Sequence, residues 1–286
     1  MEYTGSLRER IANSLDNLSP KHKNIARFIL DNQYFTSFSS ASQVGEKTDT
    51  TAATVVRFAQ ALGYQGYSEL QDALRAELPN YMTAAARMQR RMSSQISPSS
   101  THQNVFYTDI QNIERTASNL TEHNLQAALD AILKANRIIV IGAGISSGSV
   151  AFLVHSLKVM GFDAIAIGGE GLQTAVEIAQ LRPDDLMIAI DLWRYARLTV
   201  HTVTLAREID IPVIAITDSI VSPLAKMADF SFEIATEGIA HSLSITALLS
   251  LLNVFIAMLA DRVPTQVYES LKRVDATYKG NGLLIM

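Results

Sequence analysis

Between Arg137 and Ala235 the sequence alternates short apolar runs with longer segments of helical periodicity, and few folds accommodate that alternation. The runs are "RIIVIG" (137–142), "DAIAIGG" (163–169), "DLMIAI" (185–190), "IPVIAIT" (211–217) and "DFSFEIA" (229–235). A strand with one face in water would alternate polar and apolar residues, whereas an unbroken apolar run needs cover on both faces. The intervening stretches read as a helix to Met160, a short helix, a helix through Ile209 and a second short helix. The pattern predicts βαβ units and an α/β domain: a parallel, five-stranded sheet with helices on both faces.

The run "LSITALLSLLNVFIAMLA" (243–260) is long enough to question as a membrane span. It contains Ser244, Thr246, Ser250 and Asn253 and has no basic flank on its entry side. A helix buried against the sheet or a subunit partner is therefore expected, with no membrane partner. The chain has no cysteine and 48% hydrophobic residues. Disulfides, thiolate metal sites and a cysteine nucleophile are excluded, and a cytoplasmic location is expected. "MEYTGSLRER" shows no apolar signal core, so export is not expected.

The first part of the chain is all helical in pattern. Ile11, Leu15 and Leu18, then Ile25, Phe28, Ile29 and Leu30, are spaced for one buried stripe. In "NLSPKHK", Ser19 is the expected N-cap and Pro20 the first helical residue. The stretch "LPNYMTAAARMQRRMSSQISPSSTHQ" (78–103) loses periodicity and gathers Ser, Pro and Thr. The expected domains are thus 1–78, a linker 79–103 helical over about 80–92, and 104–286, the last opening with two amphipathic helices, the second opening at Thr121. Residues 1–92 hold 11 Lys+Arg against 9 Asp+Glu, net +2, and the remainder 13 against 19, net −6. A weakly basic head on an acidic body permits nucleic acid at one end.

Within that head, "SFSSASQVGEKTDTTAATVVRFAQALG" (37–63) reads as two helices joined by a tight turn. Ser40 to Lys47 forms the first, "KTDTT" supplies caps in Asp49, Thr50 and Thr51, and Val55, Phe58, Ala59 and Leu62 share one face of the second. Thr51, Ala52, Thr54 and Arg57 are left on or near the open face. A DNA-reading helix needs this combination of an apolar back and a short polar front with a cation. A generic helical hairpin with a solvated Arg57 satisfies the same spacing.

In the second part, "VIGAGISSGSV" (140–150) leads from a strand through Gly142 and Gly144 into a helix near Ser146. Such a turn lets backbone approach a ligand, and helix N-terminal amides with the hydroxyls of Ser146 and Ser147 can hold an anion. The dinucleotide fingerprint fails, because its third glycine position is Ser147 with Gly148 one place late, although Glu170 could stand in for its ribose-binding acid. A tight turn with no ligand is the alternative.

The strings "LSPKHKNIARFILDNQ" and "ATVVRFAQALGYQGYSELQDALRAEL", with the strand-helix half beyond them, resemble the RpiR family of bacterial transcriptional regulators. The resemblance covers nearly the whole chain and is most specific over Ala53–Phe58 and Leu62–Leu70. It implies an N-terminal helix-turn-helix domain and a C-terminal sugar isomerase (SIS) domain of flavodoxin-type strand order. Thr51, Thr54 and Arg57 then fall on the recognition helix, with Lys47 and Thr50 at the turn before it and Phe58, Leu62, Gly63, Tyr64 and Tyr67 on its scaffold. Where the family often has glycine before this helix, the chain has Asp49. Ser146 falls on the recurrent serine of the first phosphosugar loop, and Asp218 and Ser219 of "ITDSIVSPLAKMAD" fall in a second ligand-facing stretch, while Ser222 reads as a helix cap.

The departure from the family lies in "DLWRYAR" (191–197). SIS domains usually carry S-x-S-G-x-T after the third strand, and here the hydroxyl positions are Asp191, Trp193 and Ala196, with Arg194 for the glycine. In one reading Arg194 and Arg197, three apart on one helical face, grip a phosphate or carboxylate, Trp193 covers the pocket and Asp191 orients an arginine or binds hydroxyls. In the other, Asp191 pairs with an arginine and Trp193 plugs the site or packs at a dimer interface.

The resemblance implies a regulator, not an enzyme, that binds a double-stranded DNA operator and a small anionic metabolite, a sugar phosphate or sugar acid, as a homo-oligomer without a cofactor. A sugar-phosphate isomerase using Glu237 and His241, and a DNA-binding protein whose second domain only dimerises, are the alternatives. Histidines 22, 102, 123, 155, 201 and 241 lack metal-ligand spacing, so neither a metal nor a catalytic residue is assigned.

Overall fold

The computed structural model describes residues 7–15, 18–77, 84–93, 100–168 and 171–282. Two compact units divide the chain, one running to Ile96 with Ala240–Ser242 grouped to it, the other holding the rest.

The first unit contains α1 (Leu7–Ser14), α2 (Pro20–Asp31), α3 (Gln33–Phe38), α4 (Ala41–Lys47), α5 (Ala52–Ala61), α6 (Tyr67–Glu77) and α7 (Ala84–Ser93). Their starts follow side-chain chemistry. Ser19 Oγ accepts the His22 N–H at 3.2 Å with Pro20 next to it. Ser40 and Gln43 form a reciprocal capping box, and Thr51 Oγ1 accepts the Thr54 N–H at 3.3 Å. Leu7, Ile11, Ile25, Ile29, Val44, Val55, Phe58, Leu62, Leu70 and Leu74 make one core. The expected stripe is corrected at Leu15, which is 45% exposed. Helix α1 ends at Ser14, so the helical period no longer applies there, and Phe28 and Leu30 are half-buried.

The tightness of the turn between α4 and α5 rests on two residues. A Cβ on Gly45 would lie 2.9 Å from the Thr50 carbonyl oxygen, so only glycine lets the turn close on α4. Asp49 takes the left-handed conformation, φ 53°, where relatives of the resembled family often have glycine, and the Thr50 N–H reaches back to Gly45 O at 2.8 Å. Behind the pair, Tyr67 Oη donates to Thr36 O and Ser39 O, and Arg75 Nε to Ser37 O at 2.8 Å, so α6 holds the junction of α3 and α4.

The second unit contains α8 (Thr101–Asn119), α9 (Glu122–Lys134), β1 (Arg137–Ile141), α10 (Ser147–Val159), β2 (Ala164–Ile167), α11 (Gly171–Ile178), β3 (Asp185–Asp191), α12 (Arg197–Glu208), β4 (Val213–Thr217), α13 (Pro223–Met227), β5 (Phe230–Glu233), α14 (Thr246–Arg262) and α15 (Pro264–Gly280). The five strands are parallel in the order β2-β1-β3-β4-β5. Alternate residues sort by face: Ile138, Val140, Leu186, Ile188, Ile190, Ile214 and Ile216 join α9, α10 and α14, while Ile139, Ile141, Met187, Ala189, Val213 and Ala215 join α12 and α13. Covering both faces is what the unbroken apolar runs required.

The run at 243–260 becomes α14, whose Leu248, Leu251, Leu252, Phe255 and Leu259 are buried in the first of these cores, with Phe255 edge-on to Phe232 at 5.1 Å. Among the described residues no single helix is long and apolar enough to cross a membrane.

Strand β1 lies between β2 and β3, so the chain leaves it in opposite directions and opens a crevice at the carboxyl ends of β1 and β3. At the other end of the pair, Arg137 Nη2 meets the buried Asp185 carboxylate at 2.6 Å. At the crevice, a Cβ on Gly142 would sit 2.3 Å from Ile190 O and 2.9 Å from Val150 Cγ2. Gly144, at φ 59°, faces open space. Gly142→Ala should therefore destabilise the second unit by at least about 3 kcal/mol, the upper end for overpacking. Gly144→Ala should cost only about 1–2 kcal/mol, the backbone strain alone. Urea unfolding followed by fluorescence of Trp193, the sole tryptophan, separates the two, and equal losses would refute the close-approach argument.

Candidate functional site

The crevice is lined by the loop after β1 on one side and the loop after β3 on the other. In the first, Gly144–Ser146 forms a single 3-10 turn ahead of α10. Ser146 is fully buried and its Oγ has no hydrogen-bond partner among the described residues, and the same holds for Ser149 one turn later. A buried hydroxyl without a partner is costly, which is a reason to look for a ligand there. Ser147 is exposed and its hydroxyl donates to Gly144 O at 2.8 Å, so it braces the turn. Sequence reading named Ser146 and passed over Ser149, whose place on the first turn of α10 was the available signal. Glu170 lies outside the described residues.

The loop after β3 is organised by carboxylates. Asp191 Oδ1 accepts the Leu192 N–H at 3.1 Å and Oδ2 the Ala196 N–H at 2.8 Å, so this side chain closes the loop ahead of α12. Among the described residues it forms no ion pair with an arginine, which corrects the arginine partnership expected of it. Arg194 and Arg197 do not share a helical face either. Helix α12 begins at Arg197, while Arg194 lies in the loop with its guanidinium 5.0 Å from the Trp193 ring centroid. Both arginines are exposed. Trp193 takes φ 73° and packs against the core on the α10 and α14 face.

Tyr195, which sequence reading missed, donates its hydroxyl to Asp218 Oδ1 at 2.8 Å and ties this loop to the end of β4. No local pattern announces a contact 23 residues away in sequence. Asp218 is 3% exposed and also meets the Thr217 hydroxyl. Ser219 is buried with Oγ accepting the Val221 N–H at 3.2 Å, and Ser222 caps α13 by accepting the Ala225 N–H at 3.0 Å, as expected. Glu237 is engaged by α8: its carboxylate meets Arg115 at 2.8 Å, its carbonyl accepts from Asn112 Nδ2 and its N–H donates to Asn112 Oδ1, while His241 is exposed. Among the described residues no group of three or more acidic or histidine side chains is placed to hold a metal.

In the first unit, Lys47 closes α4 and is exposed, as is Arg57 on α5. Thr50 and Thr48 share a hydroxyl contact at 2.9 Å, and Thr51 and Thr54 one at 3.0 Å. The threonine hydroxyls thus shape the turn and the helix start, and Arg57 is the long polar side chain standing on the open face of α5.

Burial sets the acidity of the crevice. Asp191 is pushed up to about 6, chiefly by burial and secondarily by Asp218, against the lowering effect of its hydrogen bonds. Burial also raises Asp218 and Glu233. The folded state holds the Asp191 proton at pH values where the unfolded chain has released it, so its contribution to stability falls as pH rises from about 4 to 6 and stays at the lower level above that, and Asp218 and Glu233 act in the same direction. In Asp191→Asn this fall should be smaller, with Asp218 and Glu233 supplying the remainder, as read by unfolding free energies at several pH values. An unchanged slope would show that Asp191 ionises normally.

Residues 5–81 match the helix-turn-helix domain of the rpiR family, and residues 131–258 match the SIS domain. An HTH-type transcriptional regulator of Haemophilus influenzae is 26% identical over 234 residues, 80% of each chain. HexR of Pseudomonas aeruginosa, another such regulator, is 26% identical over 80% of this chain and 79% of its own. The sugar isomerase domain of an RpiR transcription factor from Sphaerobacter thermophilus is 37% identical, with TM-score 0.60, over 62% of this chain and 99% of that one. Vibrio vulnificus NanR, solved with ManNAc-6P, shares the fold at TM-score 0.68 and 23% identity over 97% of this chain and 99% of its own. The chain belongs to the RpiR family of transcriptional regulators, with a helix-turn-helix domain followed by a SIS domain.

Proposed function

We propose that this regulator binds a double-stranded operator through α5 and answers to an anionic metabolite, a sugar phosphate or sugar acid, held at the crevice between β1 and β3. The observation that carries the sensing half is the fully buried Ser146 hydroxyl with no partner among the described residues. Gly142, Gly144 and Ser147 shape the turn that presents it, and the exposed Arg194 and Arg197 supply positive charge for a phosphate or carboxylate. Asp191, Asp218 and Ser219 are scaffold in this reading, because their side chains are committed to holding loops. Trp193 is the wall of the site. The ManNAc-6P bound by NanR, which has this fold, makes phosphorylated sugars the first compounds to test.

On the DNA side, Arg57 reads a base or phosphate, Thr54 stands beside it, Thr51 caps the helix, and Lys47 and Thr50 border the turn. One such module spans one half-site, so two copies related by symmetry are the working unit, acting in the cytoplasm. Ligand binding changes operator affinity by favouring one arrangement of the pair, for which a coupling of about 1–3 kcal/mol suffices. The domain-level division at 1–78, 79–103 and 104–286 assigns DNA, connection and sensing in that order.

A rival reading keeps the SIS domain for dimerisation alone, and the packing of Trp193 on the core with the Tyr195–Asp218 bond across the loop favours it. Selection of bound duplexes from a random pool, followed by gel shifts with phosphorylated sugars and sugar acids, decides between them. At least one compound should change operator affinity and raise the melting temperature, and Ser146→Ala should weaken its binding about tenfold, the worth of one hydrogen bond to a charged ligand. A panel with no effect on either measurement removes the sensing claim. Arg57→Ala should cost about 1–3 kcal/mol of operator binding with the fold intact, and undiminished binding would show that α5 does not read the DNA.

A further inference from the structure

The segment assigned to reading DNA, α4 and α5 with the turn between them, carries no net charge. From Ala41 to Ala61 the charged residues are Glu46, Lys47, Asp49 and Arg57, two of each sign. Duplex DNA presents one phosphate charge per about 1.7 Å of axis, and proteins hold it largely by placing cations against phosphates. A neutral reading pair needs those cations from a neighbouring element.

Helix α2 is that neighbour. The Asn24 side-chain amide donates to Thr48 O at 3.0 Å, which ties the middle of α2 to the turn before α5. Two residues before Asn24, the His22 ring lies edge-on to Phe58 of α5, 5.7 Å between centroids, so α2 also meets α5. Burial lowers the pKa of His22, so it adds no charge at neutral pH. Lys21 and Arg27 are the neighbours of Asn24 at three residues before and after, on the side of α2 that meets the turn. Both are exposed, and among the described residues neither has an ion-pair partner. Across Pro20–Asp31 the charged residues are Lys21, Lys23, Arg27 and Asp31, a surplus of two positive charges. Lys23 is displaced about 100° round the helix from Asn24 and is not part of this row.

We infer that Lys21 and Arg27 are contacts to the DNA phosphate backbone beside the base-reading face of α5, an inference that rests on the DNA-binding reading above. They position the protein on the duplex and carry no sequence information, so their loss weakens all duplexes alike.

The test measures fluorescence anisotropy of the full chain on a labelled duplex of the selected sequence and on a scrambled duplex, over a range of salt. The slope of log K against log salt should shrink by roughly 0.9 for each of Lys21→Gln and Arg27→Gln per bound subunit, and by about twice that in the double variant. Selected and scrambled duplexes should weaken by the same factor, whereas Arg57→Ala should weaken the selected one more. Lys21→Arg with Arg27→Lys should restore the slope, which separates lost charge from lost folding, and circular dichroism should be unchanged throughout. An unchanged slope in the folded double variant overturns the inference, as does an equal loss from Lys272→Gln on α15, which would mark a general charge effect. Retained binding in Arg57→Ala alongside a reduced slope in the α2 variants would fail the recognition-helix reading and leave this one standing. Absence of binding to any duplex by the unsubstituted protein would fail both.

Discussion

The close approach of Gly142 to the Ile190 carbonyl is the contact on which the arrangement of the second unit turns. Pairing of β1 with β3 brings the two loops side by side, and the missing side chain at 142 lets the turn after β1 lie against β3 and not above it. The half-buried Arg137, paired with the buried Asp185, fixes the opposite end of the same two strands. Between those two points the strands are apolar and covered on both faces, so the polar chemistry of the domain is concentrated at the crevice, where the chain changes direction across the sheet.

That concentration has an electrostatic consequence. Asp191 ends β3, Thr217 and then Asp218 end β4, and Glu233 ends β5, in register across the sheet. Burial raises all three acids, and the hydrogen bonds that two of them accept from Leu192, Ala196 and Tyr195 hold the loop after β3 in place. Relatives in the resembled pattern place hydroxyls in that loop. Here Asp191 is spent on loop architecture, while beyond β1 the buried hydroxyls of Ser146 and Ser149 have no hydrogen-bond partner among the described residues.

The same division between scaffold and contact recurs in the first unit. Gly45 and the left-handed Asp49 set how closely the turn meets α4, and the threonine hydroxyls are used in caps and turn contacts. What remains exposed for a polyanion is a sparse set of cations, with Arg57 on the reading helix and others carried by the helix beside it. An interface with a polyanion built on so few cations would be sensitive to salt.

Five apolar runs, their spacing, the caps at Ser19, Thr51 and Ser222, the helix opening at Thr121 and the buried fate of 243–260 were legible in the residues, because periodicity and capping are properties of neighbours in sequence. The same local rules misplaced Leu15 and the Arg194–Arg197 pair, since both inferences extended a helix past its end. Nothing local showed that Asp191 would face two backbone amides, that Tyr195 would reach Asp218, or that Asn24 would hold the turn at Thr48. Those pairings were decided by which strands lie side by side and how closely the turns pack, and burial, which comes only with the tertiary fold, then set what each polar group could still bind.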